Sequence, residues 1–83
     1  MNYELFITND ANTDLRQLEI WLQEEVLDEL DELTQDPPFA GAEVLDYVMV
    51  RIQGDDEYVL NLSLLINSEY QTLTFLGVEL LSN

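Results

Sequence analysis

Any chemistry in this chain falls to carboxylates, hydroxyls and amides, because eighteen Asp and Glu side chains accompany two arginines, Arg16 and Arg51, with no histidine, lysine or cysteine. Lack of histidine removes the commonest general base, the commonest zinc ligand and the ordinary proton switch near neutral pH. Lack of cysteine removes disulfides and thiolate metal sites, which fits a reducing compartment. Paired carboxylates do acid–base work only where two sit in a sheltered pocket with separated environments, and here they fall on helix faces and turns. Ser63, Thr72 and Thr74 share a sheet face with no basic side chain to activate them. Asp55, Asp56 and Glu57 offer oxygen ligands, but a calcium loop spaces its ligands at alternate positions and closes on a bidentate Glu. Three adjacent acids at a hairpin tip do neither. The expectation is no catalytic residue, no metal site and no cofactor.

The formal charge of −16 repels phosphate, since nucleic-acid binding relies on cations that displace condensed counterions. Direct binding to nucleic acid or to an anionic membrane is therefore not expected. The run "QEEVLDELDEL" sets Glu24 with Asp28, Glu25 with Glu29, and Asp28 with Glu32 at i, i+4, each like-charged pair costing about 0.2 to 0.5 kcal/mol. Such a face either solubilises the helix or meets a basic partner, and in the second case it can imitate the charge of nucleic acid. No apolar run exceeds three or four residues, against the ~20 needed to span a bilayer, and "MNYELFITND" lacks the cationic head of a secretory signal. A soluble, unprocessed, cytoplasmic protein is expected.

Positioning these residues takes few elements, and the 83 residues with 47% hydrophobic content suit one domain, 1–83. "YELFI" at 3–7 alternates as a short strand, and Thr8, Asn9, Asp10 and Thr13 offer helix N-caps ahead of a start near Ala11. Leu15, Leu18, Leu22, Val26, Leu30 and Leu33 then recur at steps of three and four. Glu19 and Glu29 interrupt that stripe, while Ile20 and Leu27 form a second apolar line. One long helix, or two helices broken near 19–24, both accommodate this. "DPP" at 36–38 stops the helix, and "FAGAEVL" reads as a loop.

Period two follows. Val48, Val50 and Ile52 alternate with Tyr47, Met49 and Arg51, and after the turn "QGDDE" the residues Tyr58, Leu60, Leu62 and Leu64 alternate with Val59, Asn61 and Ser63. A second turn, "NSE", leads to "YQTLTFLGV". The expected architecture is α+β: an N-terminal strand, one long helix or a helical hairpin, then a three-strand antiparallel meander over 47–78. Val48, Val50, Ile52, Leu60, Leu62, Leu73 and Phe75 are expected to face the helices, leaving Met49, Arg51, Asn61 and Thr74 outward.

This order resembles the RelE and ParE toxin superfamily over nearly the whole chain. "VMVRI" at 48–52, "EYVLNL" at 57–62 and "FLGVELL" at 75–81 occupy the places of the family's "yrlRv", "yRvly" and "vlgVghR" strands. Arg51 matches the first arginine. Val59 stands at the second basic position, and Leu80 or Leu81 at the last. The resemblance implies messenger-RNA cleavage on the ribosome for RelE-type members and gyrase poisoning for ParE-type members, both through basic residues largely absent here. It therefore implies a non-catalytic, acidic protein-binding module of toxin–antitoxin or plasmid-stabilisation lineage, with a basic or antitoxin-like protein partner. An active toxin or a nucleic-acid-mimicking decoy are the competing readings. The candidate partner-binding residues are Arg51, Tyr47, Met49, Asn61, Ser63, Thr72 and Thr74 on the strands, and Glu24, Glu25 and Asp28 on the helix. Arg51 is also expected to pair with Asp55 or Asp56, worth about 0 to 1 kcal/mol when exposed.

Overall fold

Thr8 begins the main departure from a simple strand. Its N–H donates to the Phe75 carbonyl at 3.1 Å, and its hydroxyl accepts from the Ala11 N–H at 3.1 Å. One residue thus ends strand β1 (Glu4–Ile7) and caps helix α1 (Asn9–Arg16). The computed structural model describes residues 2–38 and 41–82. Helix α2 (Ile20–Gln35) and strands β2 (Ala42–Gln53), β3 (Asp56–Asn67) and β4 (Thr72–Ser82) complete it. The helical region is therefore two helices, with the break at 17–19, ending at Glu19, the stripe's first interruption. Gln23 bridges the break by donating its side-chain amide to the Leu18 carbonyl at 2.7 Å. At the far end Asp36 has φ −142° and ψ 78°, outside the helical region, as the following proline requires.

The sheet order is β1-β4-β3-β2, with β1 parallel to β4 and the other pairs antiparallel. The meander is longer than expected, because Ala42–Leu45 lie in β2 rather than in a loop. Phe39 and Ala40, the start of that expected loop, lie outside the described residues. Leu22, Val26, Leu30 and Leu33 of α2 are buried with Leu60, Leu62, Leu64, Ile66, Leu73 and Phe75 of the sheet. The helical stripe and the inward faces of β3 and β4 are as the periodicity predicts.

β2 is turned the other way. Met49 is 3% exposed, whereas Val48, Val50 and Ile52 are 56, 45 and 69% exposed. The hairpin explains the inversion: Gln53 pairs with Asp56 across the two-residue turn Gly54-Asp55, with Gly54 at φ +63° in the first central position, as a type II′ turn requires. That register sets Met49 opposite Leu60, Tyr47 opposite Leu62 and Arg51 opposite Tyr58. Facing residues share a side of the sheet, so the odd-numbered residues of β2 join the inward even-numbered residues of β3.

β4 carries a bulge. Leu64 pairs with Phe75 but Ser63 pairs with Gly77, leaving Leu76 over. Leu73 and Phe75 point inward before the bulge and Val78 after it, so the extra residue switches parity. β1 pairs with β4 only from Thr72 to Phe75, and α1 packs against β4. Asp14 of α1 accepts the Val78 N–H at 3.3 Å.

Candidate functional site

Arg51 projects from β2 onto the helix side. Its Nε donates to Glu25 at 3.0 Å and its Nη2 to Glu29 at 2.6 Å, both on α2, while Nη1 donates to the Val50 carbonyl at 3.0 Å. These partners replace the expected Asp55 or Asp56, because the turn acids lie at the hairpin tip while β2's parity carries Arg51 under α2. Tyr47, two residues back on the same face, donates its hydroxyl to the other Glu29 oxygen at 2.8 Å. Glu29, which looked like a flaw in the apolar stripe, is therefore the acceptor at the centre of a four-residue network, with its side chain 12% exposed.

The network shifts two protonation equilibria. The hydrogen bond to Glu29 holds the Arg51 charge above the usual arginine value against the opposing effect of burial. The same carboxylate, through its hydrogen bond and then through burial, raises the Tyr47 phenol. A phosphate reaching Arg51 would have to displace two carboxylates already bonded to it, and each would repel the newcomer.

Beside this network Trp21 packs edge-on to Tyr58, with centroids 5.0 Å apart, and its indole N–H is buried without a partner. Tyr58 belongs to the alternating set of β3 read from the sequence, whereas Trp21 did not stand out there. Trp21 is adjacent in sequence to the stripe residue Leu22, a weak signal.

The outer face of the sheet holds a different site. α1 and the outer sides of β3 and β4 enclose an open cleft of about 530 Å³, with Asp10, Asp14 and Glu79 among its walls and Asn61 and Ser63 among its lining. The Asn61 amide donates to Asp46 at 3.1 Å, and its carbonyl oxygen is buried without a partner. Three carboxylates and no cation favour a cationic group there over a phosphate.

The candidate residues are thus divided. Asn61 and Ser63 line the cleft, and Thr72 and Thr74 share their face of the sheet. Tyr47 and Arg51 lie on the opposite face, bonded to α2. Met49 is in the core and leaves the set of surface residues. Glu24 and Asp28 are exposed on α2, while Glu25 is engaged by Arg51. Among the described residues no group of three or more Asp or Glu side chains could hold a metal ion, and no helix is long and apolar enough to cross a membrane.

The element order, the mixed sheet and the two helices define an α+β fold of the RelE-like toxin type. Among solved structures the chain is similar to one from the toxin–antitoxin complex RelBE2 of Mycobacterium tuberculosis, with TM-score 0.68 and 20% identity over 96% of this chain and 99% of that one. No protein-family model matches, and no curated protein does.

Proposed function

We propose that this chain is a non-catalytic, acidic protein-binding module of toxin–antitoxin lineage, a single domain acting in the cytoplasm through a protein partner. The observation that carries the reading is the engagement of Arg51 by Glu25 and Glu29, which neutralises the one basic residue at a position matching the family's cationic strands. Val59 and Leu80 or Leu81 occupy the other matching positions, and the outer cleft is acidic. Stabilising charge on a reacting phosphate draws on cations aimed at it, and no cation is free in either place among the described residues. The similarity to a chain of a toxin–antitoxin complex supports the lineage and the kind of partner.

The test is induced expression in a bacterial host, followed by assays of the purified protein for messenger-RNA cleavage on ribosomes and for gyrase inhibition. The expected result is unimpaired growth and neither activity. Growth arrest abolished by Arg51→Ala would overturn the reading in favour of an active toxin.

A further inference from the structure

β2 is an edge strand of twelve residues. Long, flat, apolar edges are templates for another strand, and proteins commonly blunt them with lysine, proline or a bulge. β2 contains neither lysine nor proline. Its pairing with β3 runs without irregularity from Ala42↔Asn67 to Gln53↔Asp56. Its one cation, Arg51, is held on the helix side, so β2 places no positive side chain in its outer row.

Apart from the exposed Asp46, which accepts from the Asn61 amide on the same face, that row is aliphatic. Val44, Val48, Val50 and Ile52 are 59, 56, 45 and 69% exposed. The same residues offer the free backbone: a two-residue turn makes Gln53 and Asp56 a hydrogen-bonded pair, so alternation along the ladder points the N–H and C=O of the even-numbered residues away from β3. The Val50 carbonyl already accepts from Arg51 and retains a second lone pair.

Charge selects the occupant. On the helix side α2 presents Glu25 and Glu29 to β2 with one arginine between them, and the hairpin tip adds Asp55 and Asp56. A second copy of this chain would bring another −16 against these acids, so self-pairing is opposed. An added strand sorts its own side chains by alternation: one set lies beside the valine row and the other turns toward the carboxylates of α2.

We propose that the β2 edge docks an extended, cationic segment of a partner protein. The segment adds as a fifth strand, with aliphatic residues against Val48, Val50 and Ile52 and alternate lysines or arginines toward α2. The proposal rests on the protein-binding reading above and specifies its surface, which is the even-numbered residues of β2 in place of Tyr47, Met49 and Arg51.

The probe is a capped peptide of alternating valine and arginine, long enough to pair with β2 from Val44 to Ile52, with binding read by anisotropy and amide exchange. It is expected to bind, to protect the amides of Val48, Val50 and Ile52, and to lose at least about tenfold in affinity against the pair Val48→Thr and Val50→Thr, which keeps charge and strand preference. Val48→Pro removes an outward N–H without taking a bond from β3, and it should weaken binding similarly; if it misfolds by Trp21 emission, the threonine pair still decides. An arginine–serine peptide of equal charge binding as well, protection mapping elsewhere, or unchanged affinity in the threonine pair would each overturn the proposal. So would concentration-dependent dimers of the protein that the threonine pair disperses, since the occupant would then be a second copy. Messenger-RNA cleavage would refute the non-catalytic reading and leave this surface standing, whereas failure of the peptide to bind would remove the surface alone.

Discussion

Arg51→Met tests whether the network on α2 is a structural device. Removing the guanidinium leaves Glu25 and Glu29 as like charges one helical turn apart, and it leaves Glu29, whose side chain is 12% exposed, with Tyr47 as its remaining hydrogen-bond partner. Breaking a fully buried ion pair costs about 3 to 5 kcal/mol and an exposed one about 0 to 1 kcal/mol. The Arg51 side chain is 29% exposed and that of Glu25 is 37% exposed, so the Glu25 contact is screened and counts for little. The Glu29 contact lies between the two limits, and the expected loss is about 2 kcal/mol. For a domain of this size that lowers the melting temperature by roughly 10 °C. Thermal unfolding followed by far-ultraviolet circular dichroism and by the emission of Trp21, the one tryptophan, reads it directly. Glu29→Gln in the same background should recover part of the loss, with a coupling of about 1 kcal/mol in the double-mutant cycle. A melting temperature within about 3 °C of wild type, converted by the same scaling, would refute the reasoning and return Arg51 to an ordinary surface pair.

Tyr47→Phe addresses pH: the Tyr47 phenol is raised above its ordinary 10.0, so its contribution to stability is complete below about pH 10 and is lost as pH rises through the folded value. Urea midpoints measured upward from pH 9.5 should therefore fall less steeply in Tyr47→Phe. Some slope should remain, because burial raises Tyr58 as well. Gly77→Ala would place a Cβ 2.9 Å from the Asp14 carboxylate and push it off the Val78 N–H, a loss of about 1 kcal/mol; in an Asp14→Ala background the same change should cost less, and equal costs in chemical denaturation would break the link between α1 and the bulge. Raising salt from about 0.01 M to about 0.5 M shrinks the Debye length from ~30 Å to a few ångströms, so melting temperature should rise. A flat response in that titration would mean that the acids are already neutralised locally.

The helical stripe and the inward faces of β3 and β4 are legible in the sequence because there the contrast between alternating positions is large: Leu60, Leu62 and Leu64 alternate with Asn61 and Ser63. In β2 the contrast is weak, since Tyr47 and Met49 are themselves apolar and compete with Val48, Val50 and Ile52 for the core. Hydropathy alone then selects the valines. The deciding information lies in the turn: two central residues make paired residue numbers sum to an odd value, which forces odd-numbered β2 residues beside even-numbered β3 residues. Reading "QGDDE" as a five-residue turn hides that constraint, whereas Gly54 followed by Asp55 as a type II′ pair exposes it. The bulge at Leu76 leaves a fainter trace, a glycine in a strand.

Parity also decides the chemistry of the candidate site. A cation on the outer face of β2 would share that face with Asn61, Ser63 and the cleft under α1, open to an incoming anion. The turn places Arg51 on the other face, where Glu25 and Glu29 repel one another until the guanidinium lies between them. The same step brings the valines to the surface, the edge on which a partner strand is proposed to add. One register choice thus pairs the basic residue with two carboxylates and presents a largely aliphatic edge. A cation aligned with a toxin-like pattern in the sequence is therefore not evidence of a toxin-like site until the partner of its charge is known, and here that partner is α2.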